Sequence, residues 1–208
     1  MDQRLAAFEI TERPVQLNGS ALARALLRLL GWRLKWDGLP AAQGVIAVYP
    51  HTSNWDFPLA LLAKWAVGIQ VTWWGKDALF RVPVFGRWLR WLGGHPVVRN
   101  APQGVVGQMI EAMRAAHADG RFLWLALAPE GTRARAAGWR SGFYRVAHEA
   151  GVPLALVVLD FGRREVGFDS CWRVSGDLQA DFAVFARRLA GCRGRRPALA
   201  APVRPLTS

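Results

Sequence analysis

Residues 50–56 read Pro-His-Thr-Ser-Asn-Trp-Asp and set a histidine five positions before an aspartate. On an uninterrupted helix five residues rotate a side chain through about 500°, so His51 and Asp56 would not share a face. A turn between a strand and a helix removes that obstacle. His51 then sits in the turn, and Asp56, in the first helical turn, reaches back to its ring. A carboxylate on one imidazole nitrogen sets the tautomer and supports the cation formed when the other nitrogen takes a proton. That is a general base for an alcohol or a water. The competing reading is a helix start capped by Ser53 or Asn54 beside a surface histidine. No other His or Cys lies at ligand spacing, so no metal site is expected.

A second polar motif, Pro129-Glu130-Gly131-Thr132-Arg133, follows an apolar run directly. Gly131 allows a tight turn or close approach to a ligand. Arg133, Arg135 and Arg140 place three cations within eight residues, which suits a phosphate or, alternatively, a solvated basic loop. A third segment, 75–100, sets Lys76, Arg81, Arg87, Arg90 and Arg99 among Phe80, Phe85, Trp88 and Trp91. It reads as a phosphate grip beside an apolar, lipid-facing surface, or as an irregular segment whose aromatics fill the core. Arg99, just after a short strand, is the better ligand candidate; Arg87 and Arg90 are expected as surface charges. His95, His117 and His148 have no such setting, and Asp160 ends a strand. Neither a Gly-x-Ser-x-Gly elbow nor a Gly-Lys-Ser/Thr phosphate loop occurs.

The elements that must position these residues follow from the apolar pattern. Residues 18–34 carry Leu22, Leu26, Leu27 and Leu30 at helical spacing, for a core or a membrane-surface helix. VIAVY (45–49) is an apolar run of strand length, and a helix is expected over 55–67. Strands are expected at 69–73, 95–99, 121–129 and 152–161, with a late one near 171–174. Helices are expected at 102–118, 139–150 and 178–190, the second of these closed by Gly151. Buried strands alternating with helices predict a single α/β domain with a mostly parallel sheet flanked by helices. In such sheets sites gather beyond the C-terminal ends of strands. His51 and Glu130 both leave strand ends at that edge.

The formal charge is +12, from 27 basic and 15 acidic residues, with lysine only at positions 35, 64 and 76. Arginine grips phosphate and carboxylate with a planar fork, so acidic partners are expected: nucleic acid, anionic lipid, coenzyme phosphates or an acidic carrier protein. Eleven tryptophans, several beside arginine, tilt this towards a surface that meets lipid. The first residues carry early acids and lack an apolar run, so no signal peptide is expected, and two cysteines fit a reducing cytoplasm. The apolar stretch 57–74 is broken by Lys64, so a protein lying on the membrane is expected rather than one crossing it.

Taken in order, His-x4-Asp after a strand, the Gly/Phe/Arg-rich middle block, Gly-Gly…Val-x-Arg, Pro-Glu-Gly-Thr-Arg and the strand opened by Val152-Pro153-Leu154 resemble the glycerolipid acyltransferase family, whose best known members are 1-acylglycerol-3-phosphate acyltransferases. The likeness covers about residues 44–162, and His-Thr-Ser-Asn-Trp-Asp with Trp139-Arg140-Ser141-Gly142-Phe143-Tyr144 downstream resembles a compact bacterial subgroup of the family. It implies that His51 is the general base and Asp56 its orienting partner. It implies that Arg99, Glu130, Gly131, Thr132 and Arg133 bind the acceptor and its phosphate. Ser53, Lys76, Phe80, Arg81 and Gly86 are further substrate-binding candidates. Pro50 and Ala128 depart from the family's common Asn and Phe.

The implied reaction moves an acyl group from acyl-coenzyme A or acyl carrier protein to a lyso-lipid hydroxyl, with no metal or other cofactor. The implied organisation is an N-terminal segment (1–40) with a membrane-surface helix, an acyltransferase domain (41–190) and a flexible basic tail (191–208). The expected location is cytoplasmic, peripheral on the inner face of the cell membrane, against an anionic surface. Two rivals are weighed: the same chemistry on a lyso-lipid without phosphate, such as a lyso-aminolipid, and a non-catalytic basic module for membrane or nucleic acid. Nucleic acid is not the expected partner, since that reading leaves His51, Asp56 and Glu130 unused at strand ends.

Overall fold

The computed structural model describes residues 7–97 and 104–206, with the backbone alone described at 75–77 and 95–97. In chain order the elements are β1 (Phe8–Glu9), α1 (Ala21–Leu29), β2 (Arg33–Lys35), β3 (Gln43–Tyr49), α2 (Asp56–Val67), β4 (Val71–Lys76), α3 (Asp77–Phe80), α4 (Phe85–Trp91), β5 (Gly94–Val97), α5 (Gly104–Ala118), β6 (Leu123–Leu127), α6 (Gly142–Ala150), β7 (Leu154–Asp160), β8 (Glu165–Arg173) and α7 (Leu178–Arg188). The strands form one sheet in the order β1-β8-β7-β3-β6-β4-β5, with β2 also on β8. From β7 to β5 all neighbours are parallel, whereas β8 is antiparallel to β7 and β1 antiparallel to β8. This is the mostly parallel α/β sheet that the apolar runs predict.

The central strand β3 shows why its sequence is apolar throughout. Val45, Ala47 and Tyr49 pack with Ile110 and Met113 of α5, Phe143 of α6, and Phe182 and Phe185 of α7. Ile46 faces the other side with Trp124 and Ala155, over which α1 and α2 lie through Ala23, Leu27, Leu59 and Ala63. A strand covered on both faces loses the polar alternation of a half-exposed one. Across the ladder Gly44 stands opposite Trp124, and a Cβ there would meet the indole at 2.4 Å, so the glycine makes room for a fully buried ring.

Several boundaries differ from the sequence expectation. The strand expected at 69–73 begins at Val71, because Gly68 ends α2 in the left-handed conformation and the Gly68 and Ile69 N–H groups both donate to the Lys64 carbonyl. The late strand is longer than expected, Glu165–Arg173, and forms a hairpin with β7. Its Gly167, Asp169 and Ser170 blur the alternation, and pairing with β7 supplies the order. Helix α1 is shorter than expected and starts at Ser20, whose hydroxyl accepts the Ala23 N–H. Of its expected apolar face only Leu27 is buried; Leu22, Leu26 and Leu30 are exposed, as is Leu29 beside them.

Residues 191–206, expected as a flexible tail, cross the sheet edge and are held there. Phe161 N donates to Arg193 O (2.8 Å), Trp139 N donates to Arg204 O (2.8 Å), Leu206 N donates to Trp139 O (2.9 Å), and Ala201 is buried. The segment's Arg, Pro and Ala composition suggests looseness, but its backbone groups find partners on elements more than 30 residues away.

Candidate active site

The parallel register brings the C-terminal ends of β7, β3, β6, β4 and β5 to one edge in that spatial order. His51 leaves β3, Glu130 leaves β6, and Lys76 ends β4. Arg99 lies outside the described residues, and only the backbone of Lys76 is described.

The turn between β3 and α2 puts His51 Nδ1 3.2 Å from Asp56 Oδ2. The same oxygen accepts the N–H of Thr52 (2.7 Å) and of Ser53 (2.8 Å). Expected caps Ser53 and Asn54 do not cap the helix: Trp55 is the N-cap and makes no side-chain cap bond. Instead the Asp56 carboxylate, in the first helical turn, folds back on the turn amides, where a helix N-terminus also favours its charge. Ser53 is buried and its hydroxyl accepts the Trp55 N–H at 3.2 Å. Asp56 is 1% exposed and the His51 side chain 21%. A hydrogen on Nδ1 facing the carboxylate leaves Nε2 as the basic nitrogen, the tautomer being inferred from the partner.

Glu130 does not face outward as an acceptor-binding group would. It is 2% exposed, its Oε2 accepts the His51 backbone N–H at 2.5 Å, and its Oε1 accepts the Ala201 N–H at 2.8 Å. Burial pushes its acidity weaker than an ordinary carboxyl; the two N–H groups and the imidazole pull the other way, and the Asp56 charge adds to the rise. The carboxylate thus joins the β6 end, the His51 turn and the C-terminal segment.

Pro129 is buried too, and the last three residues of the motif face solvent. Gly131 adopts φ +67°, a conformation that favours glycine, and a Cβ there would lie 2.8 Å from Arg140 Nε. Thr132 and Arg133 are exposed; the Thr132 hydroxyl accepts the Ala134 N–H, and among the described residues no carboxylate pairs with Arg133. The loop closes where Arg140 N donates to Pro129 O (2.9 Å). Arg133 is therefore an exposed cation in the loop that follows β6, the strand next to β3.

In the middle block Phe80 and Gly86 serve packing. Phe80 is 3% exposed, tilts against Trp73 and lies under the Arg90 guanidinium at 5.5 Å. A Cβ on Gly86 would meet the Phe80 carbonyl oxygen at 2.2 Å, so α4 approaches α3 only because residue 86 lacks one. Arg81 is exposed.

Thr52 was not singled out by spacing, yet it links two parts of the site. Its N–H binds Asp56, and its hydroxyl accepts the Arg196 N–H at 3.2 Å. Tyr49 O–H donates to Ala201 O at 3.1 Å, and burial, with Glu130 and Cys192 nearby, pushes the phenol up to about 12. Both contacts depend on residues about 150 positions away, for which no local signal exists.

A family model described as Acyltransferase matches residues 35–159, more than half of the chain. No curated protein matches. Among solved structures the chain is similar to the 1-acyl-sn-glycerophosphate (LPA) acyltransferase PlsC from Thermotoga maritima, at 21% identity and a TM-score of 0.45. That likeness covers 70% of this chain and 63% of the other, so the chain spans less than two thirds of that protein's length.

Proposed function

The chain belongs to the acyltransferase family, and from that premise we propose that it transfers a fatty acyl group from an acyl thioester to the hydroxyl of a lysophospholipid such as 1-acylglycerol-3-phosphate. The observation that carries the reading is the His51–Asp56 pair, 3.2 Å apart at the strand-end edge, with its carboxylate already oriented by two turn amides.

The acceptor hydroxyl lies against His51 Nε2 and gives it a proton as its oxygen attacks the thioester carbonyl carbon. Asp56 stabilises the resulting imidazolium through Nδ1–H. The tetrahedral intermediate collapses with cleavage of the carbon–sulfur bond, and the imidazolium returns the proton to the thiolate. The acceptor is the nucleophile, so no acyl-enzyme forms, and much of the rate comes from aligning the two substrates. The thioester, acyl-coenzyme A or acyl carrier protein, is the co-substrate, and no metal or other cofactor takes part. Arg133, exposed beside His51's strand neighbour, is the cation for an acceptor phosphate.

A lipid acceptor asks for a surface that meets lipid. Exposed Leu22 and Leu26 of α1 flank a groove of about 540 Å³ with Leu62, Trp65 and Trp91. Helix α4 lies in the connection from the end of β4, at the His51 edge, to the start of β5, and its exposed Phe85, Trp88 and Trp91 continue that apolar ridge. Arg24, Arg28, Arg87 and Arg90 lie on the same two helices, and no helix among the described residues is long and apolar enough to cross a membrane. These features support peripheral attachment to an anionic membrane surface, the inner face of the cell membrane in our reading.

The test is acyl transfer by purified protein beside His51→Ala, with acyl-coenzyme A and acyl carrier protein thioesters offered to lysophospholipids and lyso-aminolipids. Transfer to 1-acylglycerol-3-phosphate that vanishes in a folded His51→Ala chain is expected. Transfer that persists in the variant removes His51 as the base, and transfer only to lyso-aminolipids replaces the acceptor.

A further inference from the structure

We propose that Arg195, backed by Arg163, Arg193 and Arg196, forms a second phosphate-binding pole of the acyl-transfer site. The inference rests on the reading of the site just given and lies wholly outside the residues matched by the family model, 35–159. The edge that holds His51 has two flanks. On the β6 side stands the Glu130–Arg133 loop. On the β7 side, one strand from β3, stand the turn after Asp160 and the C-terminal segment.

The structure ties that segment to the end of β7 at Arg193 and to the catalytic turn at Gly194 and Arg196. Asp160 Oδ1 accepts the N–H of Gly162 (2.9 Å), Arg163 (3.1 Å) and Arg193 (3.4 Å). Arg196 N donates to the Thr52 hydroxyl, and a Cβ on buried Gly194 would meet Thr52 Oγ1 at 2.5 Å. Between these ties the Arg195 guanidinium lies 5.7 Å from the Trp55 ring and 5.9 Å from the Phe161 ring. Trp55 immediately precedes Asp56, so this cation rests on a side chain of the segment that carries the His51–Asp56 pair.

Attraction to the two rings holds the guanidinium without an acceptor, and among the described residues no hydrogen bond engages the Arg195 side chain, so its N–H donors are open. A planar fork with open donors is the group that grips phosphate. Arg193, Arg195 and Arg196 are exposed, and among the described residues no carboxylate pairs with Arg195 or Arg196. Arg163, whose Nη1 is 3.8 Å from Asp160 Oδ2, adds to the field. A two-substrate acyl transfer can present phosphate twice, on the lipid headgroup and on the coenzyme. A pole on each flank of His51 suits that pair.

Binding isotherms of the full chain with adenosine 3′,5′-bisphosphate and, separately, glycerol 3-phosphate test the proposal, on wild type, Arg195→Gln and Arg195→Lys. Wild type should bind at least one probe. Arg195→Gln should weaken that probe by roughly tenfold or more, and Arg195→Lys, which keeps charge but not the fork, by less. A loss on the bisphosphate assigns the pole to the donor, a loss on glycerol phosphate assigns it to the acceptor, and a loss on both supports a general phosphate site. Arg195→Gln affinities within twofold of wild type, or no binding of either probe by wild type, overturn it. Because binding is read without turnover, an Arg195-dependent probe in a chain that transfers no acyl group would sink the proposed function and keep Arg195 as a phosphate site alone, whereas acyl transfer with Arg195-independent binding would sink this inference alone.

Discussion

The Glu130 carboxylate accepts the backbone N–H of His51 at 2.5 Å and, through its other oxygen, that of Ala201. One side chain thus fixes the histidine's main chain from behind. In Glu130→Gln a single carbonyl oxygen replaces two acceptors, and the amide NH2 faces an N–H. The unfolding free energy should drop by about 1–3 kcal/mol, as expected for a buried donor left unpaired. Because the turn carries His51, kcat should fall with it, by roughly tenfold or more. Urea unfolding and acyl-transfer assays on one preparation check both.

The pH dependence of that pair has a definite sign. Burial holds the Glu130 carboxyl above its ordinary value in the folded chain. Its contribution to stability is therefore full below the ordinary carboxyl range and is lost as pH rises through the folded-state value. The stability difference between wild type and Glu130→Gln should be larger at pH 4 than at pH 7. An unchanged difference across that range would contradict the burial argument.

Asp56→Asn separates charge from geometry. The amide oxygen can still accept the Thr52 and Ser53 N–H groups, but it cannot stabilise an imidazolium as a carboxylate does. We expect kcat to fall by about 10²–10⁴, with a smaller stability loss than in Asp56→Ala, which strands both turn amides. Equal activity in wild type and Asp56→Asn would remove the orienting role.

Gly86→Ala distinguishes packing from substrate contact. A Cβ would stand 2.2 Å from a backbone oxygen, which cannot swing away as a side chain can. A loss of about 1–3 kcal/mol is expected from the forced shift of α4, read as a lower Tm. A raised KM with unchanged Tm would point to the substrate role instead.

The two tyrosines, at 49 and 144, are both buried and both raised. Tyr49 is pushed up to about 12 by burial first, and Tyr144 higher by burial and by its bond to Asp181. Raised phenols stabilise the fold below about pH 10 and lose that contribution as pH climbs through 12. Absorbance at 295 nm should show no phenolate step near pH 10, and the step should coincide with alkaline unfolding.

The ridge proposed to meet lipid predicts a phenotype without a folding defect. Leu26, Leu29 and Trp91 are exposed, so replacing all three by Ser should leave Tm nearly unchanged. Flotation with vesicles containing anionic phospholipid should be lost. Full flotation of the triple variant would exclude this face.

The signals legible along the chain were local. Apolar runs bounded by Gly and Pro marked the parallel strands, since a strand covered on both faces must be apolar throughout. The His-x4-Asp spacing at a strand end offered His51 and Asp56 as a pair beside the reading of a capped helix start, and the turn that sets the two side chains 3.2 Å apart is a feature of the tertiary structure. Tertiary structure decided the rest. Whether Glu130 turned towards substrate or inward depended on a backbone N–H of Ala201, 71 positions on. The leucines of α1 had helical periodicity whether they met the core or lipid, and only packing on α2 showed that Ala23 and Leu27 are covered while Leu22, Leu26, Leu29 and Leu30 are not. The Arg-rich C-terminal segment carried no apolar period, so its order came from hydrogen bonds to Thr52, Glu130, Phe161 and Trp139. Periodicity records which face of an element is apolar; distant backbone donors and acceptors decide which polar groups it meets.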